Sequence, residues 1–141
     1  MLALAGPAAT ALGMGVAGLG GLPWAGVGVA GAAGALARYG VGRLMQRLSV
    51  AFPWGTFTIN TSGCLLFAVL GGIALRDLRI AGFVSLYLVT GFVGAFTTFS
   101  TFELEADLLA AERPGRAALY VVGSTAAGFA AIALGYLLAA A

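Results

Sequence analysis

The chain has no histidine, no lysine and a single cysteine, Cys64. Charge of either sign is scarce, at 9% of 141 residues. Each absence removes a class of function. Without histidine, and with one cysteine, zinc and haem sites lack their usual ligands. A lone cysteine excludes an intrachain disulfide. The seven basic residues, all arginine, are scattered and leave no footprint for nucleic acid. No nucleophile with its base and no nucleotide-binding loop is evident, so the chain is not expected to be an enzyme. A soluble domain usually carries about 25% charged residues. A small domain has too much surface to hide such a shortfall in a core.

What is present is apolar. The chain is 61% hydrophobic, with a mean hydropathy of +1.04. Lipid is its natural solvent, and its length allows about four spanning helices of ~20 residues each. Residues 1–22 are rich in Gly and Ala and carry no basic residue, a poor fit to a secretory signal. Pro7 and the glycines weaken them as a helix. They are expected to form an N-terminal extension rather than a fifth span or a leader, leaving residues 23–141 as a four-helix membrane domain.

The first expected span runs from Trp24 to Leu44, with Pro23 and Trp24 at one interface and Arg43 and Arg47 at the other. Gly31, Gly34 and Ala35 give it a small-residue face, which lets a neighbour approach closely. The second runs from Trp54 to Leu75, opened by Pro53 near its first turn. Arg76 to Arg79 is expected to be a short loop. The third runs from Ile80 to Leu104. The fourth runs from Ala117 to Leu138, after a polar turn at 112–116. Four spans put both termini on one side, with Arg76 and Arg79. Arg43, Arg47, Arg113 and Arg116 lie on the other, which weakly favours termini outside. So small a bias leaves open both a single weak orientation and insertion both ways up.

Some residues do not belong in a plain span. Asn60 sits near the start of the second, one turn after Thr56 on the same face. An unpaired Asn amide is costly in hydrocarbon. It is either interhelical glue or a donor facing an anion path. Arg38 either snorkels to the interface or stands in a water-filled vestibule. Glu103, Glu105 and Asp107 read as a solvated helix end, with Glu105 the one carboxylate suited to an aqueous mouth or a proton relay. Tyr120 and Ser124 share a face of the fourth span, with Thr125 adjacent and Gly128 continuing it. Ser and Thr in a helix also bond their own carbonyls one turn back, so this pair alone decides little.

The third span carries the strangest stretch, Gly91-Phe-Val-Gly-Ala-Phe-Thr-Thr-Phe-Ser-Thr-Phe-Glu103. Gly91, Gly94 and the β-branched pair Thr97-Thr98 weaken a helix. A break from Gly91 to Thr97 would free carbonyls able to coordinate a cation. Phe99 and Phe102 then share a face, with Ser100 and Thr101 turned toward a neighbouring one. Ring edges are partly positive, so rings and donors together suit a small anion. On the residues alone, helix packing by Phe is the simpler account.

Three motifs stand in one order: Gly31-Ala-Ala-Gly-Ala-Leu-Ala-Arg-Tyr39, Pro53-Trp-Gly-Thr-Phe-Thr-Ile-Asn-Thr-Ser-Gly63, and the stretch from Gly91 to Phe102. On them the chain resembles the Fluc (CrcB) family of fluoride channels, over nearly everything after the extension. The resemblance implies an all-α membrane protein of four transmembrane helices with a broken third. It implies an antiparallel, dual-topology homodimer with two pores and a central structural sodium ion. It implies passive, selective fluoride export across the bacterial inner membrane, with fluoride, the bilayer and a second copy of the chain as partners. Asn60, Phe99, Phe102, Ser100, Thr101, Tyr120 and Ser124 match pore positions. Arg38 and Glu105 match vestibule positions, and Gly94 and Thr97 match those whose main-chain carbonyls hold sodium. Gly128 stands where relatives can carry a hydroxyl, so the far end of the polar track differs here. Two rivals remain. One is a proton-coupled exporter using Glu105, and the other is a non-conducting membrane subunit. A small multidrug exporter would want a carboxylate in its first span, which has none.

Overall fold

The computed structural model describes residues 22–45 and 52–141. The expected extension and Arg47 therefore lie almost wholly outside the described residues. Helix α1 runs Leu22–Met45, α2 Trp54–Arg76 and α3 Leu78–Phe83. A π-helical stretch, Val84–Val93, continues α3 and leads into the single turn α4, Gly94–Phe96. Helix α5 runs Phe99–Glu112 and α6 Pro114–Ala140. The elements among the described residues are all helices, with no strand.

Among the described residues, three stretches are long and apolar enough to cross a membrane: Trp54–Arg76, Leu78–Glu112 and Pro114–Ala140. The chain is a multi-pass membrane protein. Helix α1 matches them in length at 24 residues, but its glycines, Arg38 and Arg43 hold its hydropathy below theirs. The joints are tighter than the sequence suggests. Only Asp77 separates α2 from α3, where its carboxylate accepts the Arg79 amide at 2.9 Å. Only Arg113 separates α5 from α6, because Pro114 can open a helix at once, having no amide to leave unpaired. Pro53 stands at the N-cap of α2, directly before its first turn. The acidic residues 103–107 are not a helix end, since α5 carries on to Glu112.

Many of the large side chains face outward. Leu75, Phe99 and Phe129 are each 70% exposed or more. The buried set is dominated by small residues such as Ala68, Ala117 and Ala131. This is the inverse of a soluble core, and it is what lipid allows. Apolar residues gain nothing by leaving hydrocarbon, so the helices associate through close backbone approach. Helix α2 lies along α6, and α1 lies along the π-helical stretch. A Cβ on Gly34 would run into the Phe92 carbonyl oxygen, and one on Gly135 into Ala68 and the Leu65 carbonyl. Gly91 is buried against Val27 and Ala30 of α1.

Overpacking such a contact costs about 1–3 kcal/mol. Gly34→Val is therefore expected to lower the unfolding midpoint in detergent. Gly28→Ala, where nothing lies within 4 Å of the added carbon, should leave the midpoint unchanged or raise it, since Ala favours the helix. Equal midpoints for the two variants would remove close backbone approach as the organising contact.

Candidate functional site

The helical backbone runs through Gly91 and Gly94 and stops at Thr97. Thr97 (φ −78°, ψ 161°) and Thr98 (φ −150°, ψ 120°) are both extended. The interruption thus lies at the two threonines, not at the glycines. Gly91 is there for packing against α1, while the threonines are residues that lose little by leaving a helix.

An interruption leaves peptide groups without their helical partners, and both of those of Thr98 are met by one side chain. Asn60 of α2 donates its Nδ2 to the Thr98 carbonyl at 2.8 Å. Its Oδ1 accepts the Thr98 amide at 2.9 Å. The Thr98 hydroxyl caps α5 by accepting the Thr101 amide at 3.3 Å, and donates to the Thr101 hydroxyl at 3.0 Å. The Thr97 hydroxyl turns back to the Val93 carbonyl at 3.0 Å. Asn60 reaches Thr98 because Gly63, three residues on, lets α2 press against the interruption. A Cβ on Gly63 would strike the Thr97 methyl.

These bonds have a second effect. A continuous helix gives each amide to the carbonyl four residues back. The Thr98 amide, which Gly94 would have received, goes to Asn60 instead. The Thr101 amide, which Thr97 would have received, goes to the Thr98 hydroxyl. The break thus leaves the carbonyls of residues 94–97 without their helical donors, and those due to Gly94 and Thr97 go to Asn60 and to the Thr98 hydroxyl. These carbonyls are hard, neutral oxygen donors, the type that suits a hard cation. No cluster of His, Cys, Asp or Glu suited to a metal occurs among the described residues.

Two hollows flank the interruption, and Thr98 lines both. One is a cavity of about 810 Å³ with Arg38, Thr56, Thr101, Glu105 and Glu112 in its walls. The other is a groove of about 410 Å³ with Asn60, Cys64, Phe99, Phe102 and Ser124 in its walls. Tyr120 is wholly buried beside the cavity, and its hydroxyl donates to Glu105 Oε2 at 2.8 Å. Its ring meets Phe52 edge-on at 5.4 Å and Phe102 at 5.1 Å. Phe102 in turn lies 6.0 Å from Phe99. An aromatic file thus runs from the cavity side to the groove.

The sequence-derived candidates divide accordingly. Arg38, Thr101 and Glu105 meet at the cavity. Asn60, Thr97, Phe99, Phe102 and Ser124 meet at the groove. Tyr120 sits behind them as a support for Glu105. Ser100 is exposed and is not among the walls of either hollow. Thr125 bonds the Val121 carbonyl at 2.8 Å, as a helical hydroxyl commonly does. The Ser124 hydroxyl is shut from solvent and has no such partner among the described residues. The residue the sequence reading undervalued is Thr98. Its signal was present, a hydroxyl three residues before a helical amide, which is the N-cap spacing.

Losing both Asn60 bonds would strand an amide and a carbonyl, at about 1–3 kcal/mol for each buried group. Losing only the cap, as in Thr98→Val, costs about 1 kcal/mol. Asn60→Leu is thus expected to destabilise more than Thr98→Val, with Thr98→Ser close to the parent. Denaturant titration in detergent micelles checks the order, and the reverse order would contradict the clamp.

Comparison with known proteins follows the same residues. The family model described as CrcB-like protein, Camphor Resistance (CrcB), matches residues 25–136. A protein of Nitrosococcus oceani is 39% identical over 117 residues, covering 82% of this chain and 92% of its own. One of Methylobacterium sp. (strain 4-46) is 47% identical over 109 residues, covering 76% and 86%. One of Acidobacterium capsulatum is 45% identical over 112 residues, covering 77% and 89%. Each of the three is named a fluoride-specific ion channel FluC. With a family model and such relatives matched across the helices that build the cavity, the interruption and the groove, the chain belongs to the CrcB-like family.

Proposed function

We propose that the chain is a passive, fluoride-selective channel that lets the anion leave the cytoplasm of a bacterial cell. The observation that carries this reading is the interruption at Thr97–Thr98, with a polar cavity on one side and a groove of rings and hydroxyls on the other. Arg38 at the cavity attracts anions, while Glu105 beside it keeps the mouth from becoming a trap. In the groove, Phe99 and Phe102 present ring edges, whose partial positive charge suits an anion. The Ser124 hydroxyl and the second N–H of Asn60 supply donors that replace lost water. The names of the relatives support fluoride as the ion.

The working unit on this reading is an antiparallel homodimer of dual topology. Each copy contributes four spans, with α1 as the first and Leu78–Glu112 as a broken third. Phe99 is 72% exposed on a single copy. A ring meant to wall an ion path cannot do so while facing lipid, and a second copy would enclose it. Two copies would form two pores. They would also bring two pairs of diverted carbonyls, from Gly94 and Thr97, around one axis. A sodium ion held there would supply a fixed positive charge that braces the crossing and favours anions nearby. A proton-coupled exporter is the second reading, favoured by one observation: Glu105 is bonded to the buried Tyr120 at a cavity wall.

Liposomes carrying the protein and loaded with fluoride are expected to empty when a potassium ionophore clamps the voltage, with no proton gradient needed. Strict dependence on a proton gradient would favour the exporter, and no efflux from an assembled dimer would reject transport. Phe99→Ile and Phe102→Ile keep bulk but lose the ring edge. Each is expected to slow efflux at least about tenfold, the factor that ~1.4 kcal/mol sets. Parental rates in both variants would return the rings to a packing role.

A further inference from the structure

Phe52 stands just ahead of α2, and Pro53 after it has φ −75° and ψ 64°. Those angles, with the Trp54 amide donating to the Phe52 carbonyl at 2.8 Å, make an inverse γ-turn. Proline fixes the first of the two angles, so the Phe-Pro-Trp order itself favours the turn. The turn folds Phe52 back over the start of α2. Its ring lies 4.6 Å from that of Trp54 and 5.9 Å from that of Phe57. It also meets the Tyr120 ring of α6 edge-on, at 5.4 Å and 90°. Phe52 is in the cavity wall, whereas Tyr120 behind it is wholly buried. The phenylalanine ring therefore separates the tyrosine from cavity water. The Tyr120 hydroxyl bonds Glu105 Oε2 at 2.8 Å. Glu105 shares the cavity wall with Arg38 and Arg43 of α1 and with Glu112 of its own helix. Among the described residues it forms no ion pair with either arginine.

We propose that Phe52 is a positioning residue of the cavity. Held by the turn at Pro53, its ring fixes Tyr120, and the Tyr120 hydroxyl in turn keeps the Glu105 carboxylate unpaired with the arginines. The proposal rests on the channel reading above and adds a residue to it. A carboxylate and a guanidinium in one cavity attract each other. The bond to a buried hydroxyl holds one carboxylate oxygen in a fixed place. Released from it, Glu105 is free to close on Arg38 and cancel the cation that draws anions to the mouth. The hold depends on a ring, because an edge-on aromatic contact has a preferred direction. Phe52→Leu keeps an apolar side chain there but loses that direction, while Phe52→Tyr keeps it.

The test uses the full chain in two measurements. In micelles, protein made with tyrosine carrying a carbon-13 label at Cζ gives a Tyr120 resonance, identified by its loss in Tyr120→Phe. That carbon reports the bonding of the hydroxyl, so its resonance is expected to shift in Phe52→Leu. In liposomes, fluoride efflux by Phe52→Leu is expected to be at least about tenfold slower than the parent, the factor that ~1.4 kcal/mol sets. Phe52→Tyr should restore most of the parental rate. Tyr120→Phe removes the hydroxyl and keeps the ring, so adding Phe52→Leu to it should slow efflux no further. An unmoved Tyr120 resonance would overturn the proposal, as would parental efflux by Phe52→Leu. So would a Phe52→Tyr protein as slow as Phe52→Leu, or slowing that multiplies when Phe52→Leu and Tyr120→Phe are combined. A parent protein that passes no fluoride would reject the channel reading instead, and the resonance would still decide whether Phe52 holds Tyr120.

Discussion

Within a bilayer a peptide group that leaves its helix must find another partner inside the protein. The rest of this structure depends on how that is done at Thr97–Thr98. One amide side chain, Asn60, takes both the carbonyl and the amide of Thr98. One hydroxyl, that of Thr98, restarts the helix. Gly63 brings α2 close enough for the short Asn side chain to reach. Remove any of the three and the extended pair becomes costly, because the alternative is an unpaired group in hydrocarbon.

The same economy explains the composition. A fold held by backbone approach needs small residues at its contacts, which is what Gly34, Gly91 and Gly135 provide. It has no use for charge except where water enters. Four charged side chains, Arg38, Arg43, Glu105 and Glu112, line the cavity. Beyond Thr98 the groove contains no charged wall. On the proposed reading, the step from charged cavity to neutral groove suits a path that collects an ion and then holds it with weak donors. The anion would exchange water for the protein at that step.

Much of this was legible in the residues. Hydropathy marked the apolar spans, and the hydroxyl-rich stretch after Gly91 announced that one of them was not a plain helix. Motif resemblance identified the family. Other features were not legible, for physical reasons. Glycine weakens a helix and also permits close packing, and only a neighbour decides between the two. Gly91 has α1 against it, so it packs, and the interruption falls on the threonines. Asn60 could have faced an ion or a helix. In the structure its carbonyl and one N–H face a backbone, and one N–H remains. Proline and polar runs suggested loops where single residues suffice, because Asp77 and Pro114 make abrupt starts possible.

The central claim is that the Asn60 clamp on Thr98 holds the ion path in shape. Fluoride efflux from liposomes carrying Asn60→Leu, with assembly verified in the same preparation, tests it most directly. The account predicts efflux at least about tenfold slower than the parent, the factor that ~1.4 kcal/mol sets. Efflux at the parental rate from an assembled Asn60→Leu protein would contradict it.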